Sequence, residues 1–186
     1  MVMKMFSPVV QDSEMNPLRM TAYASLLAAL TAVGAYIAIP IGPVPIVLQS
    51  LFVYLSGLLL GGRWGMTGIA AYLLAGAAGL PVFAGGKGGI GHLVGPTGGY
   101  LVGFLPAVAV IGFVTQKTGG RILFAIAALT AATIIIYACG VTWLSIVTGM
   151  TIIRSLMVGM VPFLLGDALK IAAALFIAGS LRPMIQ

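Results

Sequence analysis

Asp167 and Lys170 are the residues of this sequence best equipped for chemistry. Asp12 and Glu14 stand in a polar leader, so Asp167 is the one acid in the long hydrophobic body. A charge near the centre of a bilayer costs about 2.5–3.5 kcal/mol on insertion scales, so an acid retained there faces a protein interior and has a task. Lys170 follows at i+3, on the same face of a helix. The pair has two readings. As a structural pair the two neutralise one another and hold a helix against its neighbours, although such a pair often gains little over an apolar replacement. As a ligand site, the aspartate accepts two N–H donors while the lysine donates to a carbonyl or pairs with a carboxylate, which suits a small molecule of both polarities. A proton relay is less well supported, because no second acid or intramembrane histidine extends the chain of carriers.

Other candidates gather around this pair. Gln49 lies near the start of a second apolar run, on the same side of the membrane as Asp167. A glycine-rich stretch over residues 79–99 is long, free to take left-handed turns and able to approach a ligand closely, which makes it a candidate lid. Phe83 and Tyr100 stand at its two junctions with the membrane, where a ring either anchors at the interface or closes over a bound molecule. Thr97 and Gly98 belong to the same stretch, and Lys87 would attract an anion at its mouth. His92 has no nitrogen or sulfur partners for a metal and reads as a loop residue. Trp64, Trp143, Tyr23 and Tyr137 read as interfacial or packing residues. Cys139 is the single cysteine, so no internal disulfide forms. With no phosphate-binding loop and no nucleophile–base set, neither catalysis nor self-driven ATP use is expected, and no cofactor is implied.

Composition dictates what must position these groups. The chain has 186 residues, 61% hydrophobic and 6% charged, with a mean hydropathy of +1.18. Nine basic and three acidic side chains cannot cover its surface, so most of that surface faces lipid and a water-soluble enzyme is excluded. The expected fold is an all-α integral membrane protein: a six-transmembrane-helix bundle with the glycine-rich outer loop between helices 3 and 4. Apolar runs between charges and Gly/Pro clusters place the spans at 23–39, 46–60, 64–78, 98–116, 122–147 and 161–180. The second and third are short, joined by a tight turn at Gly61-Gly62-Arg63. Residues 1–18 form a polar cytoplasmic leader without the apolar core of a cleaved signal, and 19–186 a single membrane domain. The outer connections are then 40–45, stiffened by three prolines, 79–97 and 148–160.

Six spans place Lys4, Arg19, Arg63, Lys117, Arg121 and Arg182 on the side of the termini and Lys87 and Arg154 on the other. That asymmetry predicts cytoplasmic termini, and it reads the net charge of +6 as topology markers rather than as a nucleic-acid footprint. In the first helix Ala24, Ala28 and Ala32 repeat every four residues, a stripe that serves close packing within the protein or docking onto another membrane subunit.

The ordered set of motifs resembles the BioY family, the biotin-specific substrate-binding (S) components of energy-coupling factor (ECF) transporters. The likeness runs nearly end to end: Ile39-Pro40-Ile41-Gly42-Pro43-Val44-Pro45-Ile46 with Gln49, Gly57-Leu58-Leu59-Leu60-Gly61, Gly79-Leu80-Pro81-Val82-Phe83-Ala84, Gly95-Pro96-Thr97-Gly98-Gly99-Tyr100, and Pro162 through Gly166-Asp167-Ala168-Leu169-Lys170. The resemblance implies a six-helix fold and an outward-facing biotin pocket closed by loops. It also implies a plasma-membrane location and partnership with a transmembrane coupling protein and a pair of ATPases. It maps the family's Asp-x-x-Lys pair, tied to biotin recognition, onto Asp167 and Lys170, and its docking motif onto Ala28 and Ala32. Transport of biotin by this chain alone, and a structural subunit using Asp167–Lys170 as helix glue, remain the alternatives.

Overall fold

A computed structural model describes residues 16–39 and 43–185. Most of the leader, with Lys4, Asp12 and Glu14, lies outside the described residues. So do Pro40, Ile41 and Gly42 of the proline-rich connection, and the side chain of Arg182.

Helix α1 (Pro17–Tyr36) starts six residues before the apolar run suggests. The reason is local: the Asn16 side chain accepts a hydrogen bond from Leu18 N at 3.0 Å, and Pro17 occupies a first-turn position where its missing donor costs nothing. Two-residue strands β1 (Ala38–Ile39) and β2 (Ile46–Val47) then pair antiparallel, Ala38 opposite Val47, and close the ends of the connection together.

Helix α2 (Gln49–Ala77) is a hairpin rather than a rod. At Gly61 the backbone leaves the helical region, with φ 76° and ψ −172°, a conformation open to glycine. Gln49 and Tyr72, which a straight helix would hold about 34 Å apart, are instead hydrogen-bonded at 2.7 Å. The two short runs joined by a tight turn are therefore present as the sequence suggests. Each arm is shorter than the ~30 Å hydrocarbon core of a bilayer. Gln116 reaches the turn, accepting from Gly62 N at 3.3 Å.

After the glycine-rich segment, which carries the short helix α3 (Ile90–Leu93), come α4 (Gly98–Lys117) and α5 (Ile122–Thr148), the latter ending at Gly149 in the left-handed region. The expected outer connection over 148–160 holds a helix, α6 (Ile152–Gly159). Thr151 caps it through Arg154 N, and it buries Ser155 and Gly159 while Ile153 and Met157 stay exposed. Pro162 sits in a single 3-10 turn (Val161–Phe163) before α7 (Leu164–Ile185), which starts three residues later than the hydropathy boundary.

Among the described residues five helical stretches are long and apolar enough to cross a membrane. The protein is a multi-pass membrane protein. Counted by segment, α1, the two arms of α2, α4, α5 and α7 make up the bundle, with α2 central against α1, α4 and α7. Its core is a continuous apolar cluster around Val53, Leu58, Ile69, Val108, Ile111, Leu129 and Leu144, while Leu165, Leu169, Ile134, Ile146 and Phe176 face outward as lipid-covered residues should.

Candidate functional site

The polar residues converge at one end of the bundle. Asp167 falls in the first turn of α7, where the helix dipole favours a negative charge, and Lys170 lies one turn on. Lys170 Nζ stands 2.8 Å from Asp167 Oδ1 and donates to Ser50 Oγ at 3.1 Å. Tyr137, from the middle of α5, donates its hydroxyl to Asp167 Oδ2. Both side chains of the pair are about nine-tenths buried. Removing a pair from water to that extent is tolerable only with extra hydrogen bonds, and Ser50 and Tyr137 supply one to each partner. An ammonium has three donors and a carboxylate about four acceptor positions, so the pair retains unspent capacity toward a ligand.

That capacity faces a cavity with about 650 Å³ of empty space, its open mouth included. Gln49, Ser50 and Tyr54 of α2, Thr97, Tyr100 and Phe104 of the α4 region, Tyr137, Phe163, Asp167 and Lys170 line it, with Val44, Val47 and Ile136 among its apolar walls. A mostly apolar cleft with a few convergent polar groups is the usual form of a small-molecule site. An apolar groove between α5 and α7 shares Tyr137 and Asp167, so that hydrogen-bonded pair forms part of the cavity's wall.

Five of the expected site residues, Asp167, Lys170, Gln49, Thr97 and Tyr100, line this one cavity. Tyr100 is held tightly: its ring lies over Gly140, where a Cβ would come within 2.3 Å, and its hydroxyl donates to Gly159 O at 2.8 Å. Phe83, Gly98 and Lys87 stand behind the lining. Phe83 is fully buried, edge-on to Tyr72 and stacked on His92 at 5.3 Å between centroids. Gly98 gives α3 and α4 room to meet, since a Cβ there would lie 1.6 Å from Leu93 O. Lys87 is exposed and pairs through its backbone with Phe83 across a turn made by Gly85 and Gly86, both at positive φ.

The glycine-rich segment is thereby tied down at several points. Tyr36 donates to Pro81 O, Tyr72 to Val82 O at 3.1 Å, Gly89 N to Gly76 O at 2.7 Å and Trp143 Nε1 to Gly95 O at 3.0 Å. Sequence reasoning missed Tyr137, Ser50, Tyr72 and His92. For the tyrosines the one available signal was a polar handle inside an apolar helix, which packing explains equally well.

His92 lines the cavity and shares a hydrogen bond with Thr97 Oγ1 at 3.2 Å. Burial, with a smaller contribution from the Lys87 ammonium, pushes its pKa below the ordinary 6.5. The opened segment therefore takes up protons before the closed one, so closure is fully favoured above about pH 6.5 and weakens as pH falls below it. Amide exchange in residues 89–98, corrected for the intrinsic rate, is expected to quicken relative to the helices between about pH 7.5 and 5.5. His92→Gln should flatten that dependence; an unchanged profile in the variant would assign it elsewhere.

The family model described as the BioY family matches residues 6–186. The chain belongs to the BioY family. It is 44% identical over 167 residues to the biotin transporter BioY of Thermotoga maritima, covering 90% of this chain and 98% of that one. With the probable biotin transporter BioY of Pyrococcus horikoshii the identity is 42% over 158 residues, covering 85% and 93%. The fold of this BioY family member superposes with a TM-score of 0.76 on the crystal structure of the S-component for biotin from an ECF-type ABC transporter, at 30% identity over 91% of this chain and 95% of that one. These relatives are named as transport proteins, not enzymes.

Proposed function

We propose that this BioY family member is the biotin-capturing membrane subunit of an ECF-type uptake transporter. One observation carries the reading: a buried Asp167–Lys170 pair with unspent hydrogen-bonding capacity at the wall of a largely apolar cavity, in a chain 44% identical to a biotin transporter. Biotin has matching chemistry, with a cyclic urea of two N–H donors and one carbonyl, an apolar sulfur ring and a carboxylate tail. Asp167 accepts a urea N–H and Lys170 donates to the urea carbonyl. Tyr100 shields the rings, with Phe83 supporting the lid behind the lining. The tail runs toward the rim at Thr97, and the exposed Lys87 ammonium of the same segment attracts its charge. Biotin enters from the outer face of the cell membrane, both termini are cytoplasmic, and a coupling protein with an ATPase pair supplies the energy.

Titration of biotin into the protein purified in lipid discs tests this directly. Saturable binding is the expected result, and a folded protein that binds none would overturn the assignment.

Docking onto the coupling protein falls to α1. Ala24 is buried with its carbonyl against Gly68, whereas Ala28 and Ala32 keep part of their surface open. Ala28→Leu with Ala32→Leu is expected to leave biotin binding intact while abolishing ATP-coupled uptake in reconstituted vesicles. If binding disappears as well, the stripe serves internal packing.

A further inference from the structure

Gln49 is 2% exposed, lines the cavity and donates from Nε2 to the Tyr72 hydroxyl at 2.7 Å. The direction of that bond is dictated by proton counting. A phenol has one proton, and Tyr72 spends it on Val82 O at 3.1 Å, so it can only accept from Gln49. The amide is therefore locked with its NH₂ toward Tyr72 and its carbonyl Oε1 turned away from it. Next along the chain, Ser50 Oγ accepts from Lys170 Nζ, which in turn bridges to Asp167. Gln49, Asp167 and Lys170 thus line one cavity, in which the acceptor of Asp167 lies beside the donor of Lys170.

We infer that Gln49 Oε1 accepts the second N–H of the bound cyclic urea, with Tyr72 as the positioning residue that keeps the amide from turning over. Asp167, Lys170 and Gln49 then present acceptor, donor and acceptor to an edge that is donor, acceptor and donor. Tyr72 also makes recognition depend on the lid. Its proton stays on Val82 O only while the segment beside Phe83 is in place, and a freed hydroxyl would donate to Oε1 and turn the amide. This inference rests on the biotin reading above and names a specificity-determining residue within the same site.

The test uses the full chain in lipid discs with three probes: biotin and its two derivatives methylated singly on each urea nitrogen. Wild type should reject both derivatives. In Gln49→Met, which keeps the side chain's length, biotin should weaken by about tenfold. Discrimination at one nitrogen should then shrink to about twofold, while rejection at the nitrogen facing Asp167 persists. Tyr72→Phe should reduce discrimination at the same nitrogen and no other, a selectivity that general loosening of the fold would not produce. Gln49→Leu provides a second truncation, and thermal unfolding confirms that each variant is folded. Wild-type binding with unchanged discrimination in the Gln49 variants overturns this inference alone. Failure of folded wild type to bind biotin overturns the reading beneath it, and the inference with it.

Discussion

Asp167→Asn is expected to weaken biotin binding by about a hundredfold while the protein remains folded. The substitution preserves shape but removes the charge that makes the urea hydrogen bond strong, and one carboxylate oxygen becomes a competing donor. It also leaves the Lys170 ammonium, about nine-tenths buried, without its charged partner. Breaking one side of a buried pair costs about 3–5 kcal/mol, so the variant should melt at a lower temperature than wild type. The control is the double variant Asp167→Asn with Lys170→Met. Removing both charges should restore much of the thermal stability, because no unpaired ammonium remains, yet it should not restore binding. If the single variant binds biotin within about threefold of wild type, the pair is helix glue and the ligand assignment is wrong. If binding returns in the double variant, affinity follows stability rather than recognition.

Gly112→Ala should disrupt the fold strongly for a single added methyl. A Cβ at Gly112 would lie 2.1 Å from Gly62 N, 2.3 Å from Gly61 C and 2.4 Å from Gly62 Cα. All three are backbone atoms at the turn of the α2 hairpin, so no side chain can rotate to make room. The α4 helix must separate from the turn, which also breaks the bond from Gly62 N to Gln116. We expect about 3 kcal/mol or more of destabilisation, read as loss of the monodisperse protein or a markedly lowered melting temperature in detergent. Gly166→Ala is the contrasting case. A Cβ there meets nothing within 4 Å, and alanine favours a helix interior over glycine, so stability should hold or rise slightly. A Gly112→Ala protein that melts like wild type would mean that α4 and the hairpin turn are not in close contact.

The two effects differ in how far sequence alone foretells them. Asp167 is conspicuous because an acid inside an apolar run is expensive, and its spacing to Lys170 is a property of any α-helix. Gly112 is one of 26 glycines and carries no local signal. Its importance arises because another backbone passes within reach, a contact between positions about 50 residues apart in the chain.

The site divides along the same line. Gln49, Thr97, Tyr100, Asp167 and Lys170 come from motifs legible in the chain, and all reach one cavity. Tyr137 reads from the sequence as an interfacial or packing residue and Tyr72 carries no signal of its own, because a tyrosine's role depends on what its hydroxyl finds after folding. The hydroxyl of Tyr137 finds Asp167, 30 residues away, and that of Tyr72 finds Gln49 and Val82. The connection over 148–160 reads as a link between two long apolar runs, and it holds α6, which Thr151 caps.

By itself, then, the sequence determined the class of protein, the apolar segments of its bundle, the turn at Gly61 and the ion pair in the last helix. Each follows from local quantities: transfer cost, helical spacing and the conformational freedom of glycine. The tertiary structure alone decided which hydroxyl orients which carboxylate or amide, where backbones pass too closely for a side chain, and how the glycine-rich segment is tied over the cavity. Those are contacts between distant parts of the chain, and the bundle creates them only when it closes.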